Sequence, residues 1–84
     1  MPRFHFNVYD GETSIDEAGT ELPDLVFARR EAIRYSGELL EDAGRREGLG
    51  PEWRMEVTDE SGLILFALHF VVIEAPAISK KPEE

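Results

Sequence analysis

Cysteine is absent from this chain, which removes disulfides, thiolate metal ligands and thiol nucleophiles. Basic residues are scarce: 9 Lys and Arg stand against 18 Asp and Glu, for a net charge of −9. Proteins that grip nucleic-acid backbones do so by neutralising phosphates. This chain would repel them, and anionic membranes too. Its few cations are scattered: Arg29, Arg30 and Arg34 on one segment, Arg45 and Arg46 beside a loop, Lys80 and Lys81 in the tail. A glycine-rich phosphate loop is missing, since GLGPE has a proline where such a loop needs amide donors. No serine lies in a nucleophile motif. The longest apolar run, Leu63–Ile73, is far shorter than the ~20 residues a helix needs to cross a bilayer. The opening MPRFHFNVYD has no apolar centre of signal-peptide length. These absences point to a cytoplasmic protein that is not an enzyme and has no cofactor, nucleic-acid ligand or membrane anchor.

What is present is a clear pattern of periodicities. Arg3–Tyr9 alternates, with Phe4, Phe6 and Val8 on one face and Arg3, His5, Asn7 and Tyr9 on the other. Asp10-Gly11 marks a turn, and Ser14–Leu22 reads as a short return strand with a bend at Ala18-Gly19. Asp24 is placed to cap a helix that runs to Ala43, with Gly44 as its left-handed stop. Steps of 100° put Leu25, Ala28, Ala32, Ile33, Leu39, Leu40 and Ala43 on one face and Arg30, Glu31, Arg34, Glu38 and Glu41 on the other. The small residues Ala28, Ala32 and Ser36 allow that face to lie close on a sheet, while Phe27 falls on the polar side. After the loop Arg45–Glu52, Trp53–Thr58 alternates again, and Asp59-Glu60-Ser61-Gly62 reads as a hairpin connection to Leu63–Ile73.

These elements predict an α+β domain over residues 1–73: a two-layer ββαββ fold, with an antiparallel four-stranded sheet packed on one helix. Residues 74–84 form a flexible tail with two prolines and little to bury. A chain of 84 residues buries only roughly 60% of its unfolded surface, so a lone monomer is expected to be marginally stable. The last strand raises a problem, because both of its faces are apolar. Ile64, Phe66, Leu68, Phe70 and Val72 are expected to face the helix. Leu63, Leu65, Ala67, His69 and Val71 then form a second row that one helix cannot reach. Long neighbouring side chains such as Arg54 could cover that row if the strand is central, the tail at Pro76, Ala77 and Ile78 could fold over it, or a second copy could bury it. The strand is also long enough for its far end to overhang the sheet and pair with another chain. The expectation is a homodimer, with Leu63, Leu65, Ala67, His69 and Val71 at the interface. Leu65→Lys should then break the dimer and spare the fold, whereas Phe66→Lys should unfold it.

Two weaker chemical readings remain. His5 and His69 fall on the same open face as Glu56, and two imidazoles with a carboxylate form a donor set that suits zinc. Polar spacers on a strand's solvent face are the plainer account of these residues. Asp10, Glu12, Asp16 and Glu17 supply oxygens at roughly the spacing of a calcium loop. They lack the sixth-position glycine, which favours a solvated acidic turn.

The stretches MPRFHFNVYDG, DEAGTELPDLVFARREAI and WRMEVTDESGLILFALHF occur here in that order. In them the chain resembles a family of short bacterial proteins of unknown function, domain of unknown function family 6894, over roughly residues 1–70. The resemblance implies a ββαββ organisation and carries no activity or catalytic residue with it. His5 stands where the resemblance implies a further aromatic, which lowers the functional weight on His5. The leading functional expectation is therefore a non-enzymatic, homodimeric interaction module. An acidic regulator that masks a basic protein partner, in the manner of an antitoxin or nucleic-acid mimic, is the second. A metal- or ligand-binding domain using His5 and His69 is the third.

Overall fold

The computed structural model describes residues 1–46, 50 and 52–76. The alternating segment at the amino terminus is strand β1 (Arg3–Tyr9). The expected single return strand is instead two short pieces, β2 (Thr13–Ser14) and β3 (Thr20–Glu21), both paired antiparallel with β1. The long helix α1 (Leu25–Arg45) follows, then β4 (Glu52–Thr58) and β5 (Ile64–Val71). The sheet is antiparallel with order β2-β1-β4-β5, and β3 continues the β2 edge. The α+β class and the long helix are as expected, but among the described residues the sheet has five strands because the return strand is split.

The split has a side-chain cause. Between β2 and β3 the chain leaves the ladder, and Asp16 and Asn7 replace the missing backbone pairing. One Asp16 carboxylate oxygen accepts from the Phe6 amide at 3.1 Å and the other from the Gly19 amide at 3.0 Å. The Asp16 amide in turn donates to Asn7 Oδ1 at 2.9 Å. Gly19 has φ +73°, and a Cβ there would meet Arg3 Cγ and His5 Cε1 at 2.8 Å. Only glycine fits this close approach without displacing its neighbours.

Helix α1 begins as expected, with Asp24 Oδ1 accepting from the Phe27 amide at 3.1 Å. It does not stop at Gly44, whose φ is not positive, and it runs on to Arg45. The i,i+4 pairs Glu41–Arg45 and Asp42–Arg46, each 2.7 Å long, support this last turn, and a cation there suits the helix dipole. Ala28, Ala32 and Ser36 are the buried residues of α1, and the Ser36 hydroxyl donates to Met55 Sδ at 3.7 Å. They meet Phe4, Phe6 and Val8 of β1 and Trp53, Met55 and Val57 of β4 in one core. The buried face is narrower than the 100° pattern implied. Leu25 and Ile33, expected inside, are exposed, and Phe27 is half-exposed beneath the Arg30 guanidinium, 5.4 Å from its ring centre.

Strand β5 departs from its expected facing in one half. Phe66, Leu68 and Phe70 lie opposite Val57, Met55 and Trp53, on the helix side as predicted. Near its start a register shift pairs Thr58 with Ile64 and leaves Leu65 as the extra residue of a β-bulge. Leu65, expected on the open face, packs against the core beside Phe66. Ile64, expected inside, is exposed. A single inserted residue inverts a period-two pattern, so the alternation upstream of the bulge reads with the wrong sign.

Two measurements follow from this packing. Asp16→Ala removes the acceptor for two amides, and loss of such bonds costs about 2 kcal/mol in urea unfolding. Leu65→Lys and Phe66→Lys should both lower the melting temperature markedly, because both side chains pack on the core, whereas Leu63→Lys should leave it nearly unchanged.

Candidate functional site

A 21-residue helix with one narrow stripe of small residues lies over β4 and β1 and leaves β5 at the rim of the sheet. On the helix side of that rim, Phe66 and Leu68 are half-buried, Phe70 is 42% exposed and Ile33 of α1 is 62% exposed. Arg29, Ile33, Phe66, Ala67 and Leu68 line a shallow groove between α1 and β5, and Val26, Arg29, Arg30 and Ile33 line its continuation along the helix. Neither lining contains an acidic residue, in a chain with twice as many acidic as basic side chains. The ladder with β4 ends at Val71 opposite Glu52. Beyond it Val72 is 54% and Ile73 84% exposed. The outer backbone edge of β5 therefore borders an apolar surface on its helix side and an apolar overhang at its end. Unpaired strand edges of this kind are templates for further strand pairing.

The open face of the sheet is different. Tyr9, Arg54 and His69 lie side by side across β1, β4 and β5, and so do Asn7, Glu56 and Ala67. The Arg54 guanidinium stacks 4.4 Å from the centre of the Tyr9 ring and bonds Glu56 at 2.9 Å. Of the predicted interface row, Leu63 and Val71 are exposed large apolar residues, Ala67 and His69 are exposed among polar neighbours, and Leu65 is turned into the core. Arg54 turns to Tyr9 of β1 and to Glu56 and leaves Ala67, His69 and Val71 exposed, and β5 is an edge strand of the described sheet and not a central one. The alternative cover, the tail at Ala77 and Ile78, lies outside the described residues.

The histidines do not converge. His5 pairs across from Thr58 and His69 from Arg54, four positions apart along β4 and so roughly 13 Å at 3.3 Å per residue. His5 Nδ1 lies 2.7 Å from the Asp16 carbonyl. A carbonyl only accepts, so Nδ1 carries the proton there. His69 Nε2 lies 2.9 Å from Glu52, and Glu56 is engaged by Arg54. Among the described residues no group of three or more His, Asp or Glu side chains is placed to hold a metal ion. In the acidic hairpin, the part-buried Asp16 accepts from the Phe6 and Gly19 amides and Asp10 from the Glu12 amide.

A second cleft, of about 460 Å3, lies between α1 and the β2–β3 segment. Its polar wall is the Arg34 guanidinium held between Glu31 and Glu38, both at 2.7 Å. The hydrogen bond from Arg34 keeps the Glu31 carboxyl below its ordinary value despite partial burial, and Glu31 raises Arg34 in return. These charges are satisfied by one another.

The family described as Domain of unknown function (DUF6894) matches residues 3–71. The chain belongs to that family. No curated protein and no solved structure matches it. Among the described residues, no helix is long and apolar enough to cross a membrane.

The hairpin that sets the start of β5 is held by Asp59. Its Oδ1 accepts from the Ser61 hydroxyl at 2.8 Å and from the Ser61 and Leu63 amides at 2.9 and 3.0 Å. The Ser61 hydroxyl, and then the Leu63 amide, hold the Asp59 carboxyl below its ordinary value. Because the folded value is the lower one, this stabilisation is complete above the unfolded value of about 3.9 and fades as pH falls through the folded value. Acid titration of the melting temperature should therefore be shallower in Asp59→Asn than in the parent below about pH 4.

Proposed function

We propose that this domain is a non-enzymatic, cytoplasmic interaction module that assembles as a homodimer through the rim strand β5. The observation that carries the reading is the character of that strand. It is an edge strand of eight residues, Ile64–Val71, with no proline, lysine, arginine or carboxylate in it. Proteins that stay monomeric blunt such edges with charges, prolines or covering loops. The bulge at Leu65 disturbs only the first part of the edge and leaves Phe66–Val71 regular. Symmetric dimers are the commonest assemblies, and they bury self-complementary surface. An apolar strand edge complements itself. The contact proposed here runs along the edge of β5, flanked by Ala67, His69 and Val71 on one face and by Phe66, Leu68 and Phe70 on the other. This replaces the row of Leu63, Leu65, Ala67, His69 and Val71 as the interface itself.

The acidic-regulator reading draws on net charge alone. Several acidic groups of α1 are already paired within the helix, Glu31 and Glu38 with Arg34, Glu41 with Arg45 and Asp42 with Arg46, which reduces the field offered to a basic partner.

Light scattering at micromolar concentration tests the proposal. The expected mass is twice the 9.5 kDa of the chain, and Ala67→Pro, which removes an edge amide donor, should shift it toward the monomer. A monomer mass for the parent protein would overturn the reading.

A further inference from the structure

We infer that the second copy is held in register by an ion pair between Arg29 of one subunit and Glu74 of the other, across a two-fold axis at Phe70. The inference rests on the proposed β5 pairing and adds its register and charge complement.

Three observations lead to it. The first is parity. Directly opposed residues of an antiparallel pair share a face, so a pairing of β5 with itself that keeps both helices on one face must match even positions with even positions. Phe66, Leu68 and Phe70 are on the helix side, and the same alternation carried outward gives Val72 and Glu74. The second is the bulge. A pairing centred further toward the start of β5 would set the Ile64–Leu65 irregularity inside the new ladder. Centring on Phe70 joins residues 66–74 of each copy and leaves the bulge at the fringe. Phe70 then meets the partner's Phe70, Leu68 meets the partner's Val72, and Phe66 meets the partner's Glu74. This arrangement covers Phe70 and Val72, which are 42% and 54% exposed in one subunit.

The third observation is charge. Arg29 lines the groove at Phe66, Ala67 and Leu68, where the partner's Glu74 arrives in this register. Arg29 has no ion-pair partner among the described residues, and of the other described arginines only Arg30, which sits over the Phe27 ring, shares this, whereas Arg3, Arg34, Arg45, Arg46 and Arg54 each have at least one. Glu74 is likewise exposed and without an ion-pair partner among them. It is the first acidic residue after β5. An apolar edge specifies that two copies pair but leaves the register loose. An opposite-charge pair at each end of a short ladder fixes the register and disfavours slipped alternatives.

Charge reversal tests the inference. Arg29→Glu and Glu74→Arg, made separately, place like charges together at both ends of the ladder. Each should raise the dimer dissociation constant at least about tenfold, measured by analytical ultracentrifugation. Both side chains are exposed, so the melting temperature at concentrations where the parent is monomeric should hardly move. The double variant restores opposite charges and should return the dissociation constant to near the parental value. Single variants that dimerise like the parent, or a double variant no tighter than the singles, would overturn the ion pair and leave the dimer intact. A parent protein that is monomeric at every concentration would instead remove the dimer itself, and this inference with it.

Discussion

The width of one helix governs this molecule. Strands in a sheet lie about 4.8 Å apart and a helix with its side chains is about 10 Å across, so a single helix can roof about two strands. Here the choice of strands is made by size. Ala28, Ala32 and Ser36, at successive turns, let the α1 backbone come down on Met55 in β4, and the neighbouring β1 fills the rest of the buried area with Phe4, Phe6 and Val8. A helix set that low cannot also reach across β5. Leu25, Val26 and Ile33, apolar residues flanking the small stripe, are left exposed in consequence.

The two margins of the sheet are treated in opposite ways. On the β1 side, where two short strands leave a gap, a carboxylate and an amide side chain close the ladder, and Arg3 ties the segment down through the Ala18 carbonyl and Glu21, both at 3.0 Å. The Phe6, Asp16 and Gly19 amides are bonded there by side chains. On the β5 side, among the described residues, the edge strand itself carries apolar side chains and His69, with no carboxylate, lysine or arginine. A domain that needed merely to remain soluble would gain by charging that side as well.

Most of the scaffold was legible in the sequence because period is a direct readout of geometry. Arg3–Tyr9 and Trp53–Thr58 alternate without interruption, with β4 starting one residue earlier at Glu52, and Asp24 marks the helix start. The misreadings share one physical origin, which is that tertiary contacts override a local rule. Gly44 remains helical because flanking ion pairs hold the turn. Leu65 turns inward because the ladder slips by one residue, a shift that no residue of ILFALHF announces. Ile33 satisfies the 100° pattern and is still exposed, since the pattern gives an angle around the helix and not how far the sheet extends beneath it. The rim surface could have been anticipated from the same small stripe: a close-lying helix of limited width, beside an aromatic strand, implies an uncovered flank. The His5, His69 and Glu56 constellation could not be assessed without strand order, because all three share a face in any order and are brought close by only some.

The seam between β1 and β4 joins segments 45 to 53 positions apart in the chain, Tyr9 beside Arg54 and His5 beside Thr58. Helices and tight hairpins organise within microseconds, whereas pairings between remote segments wait on loop closure. The α1 helix and the β4–β5 hairpin can thus take shape before the amino-terminal strand docks between them and the split return strand. Trp53, the sole tryptophan and 2% exposed, belongs to the core that only this last event completes. Its emission therefore reports the completion of that core, on top of any change from its pairing with Phe70 in the β4–β5 hairpin.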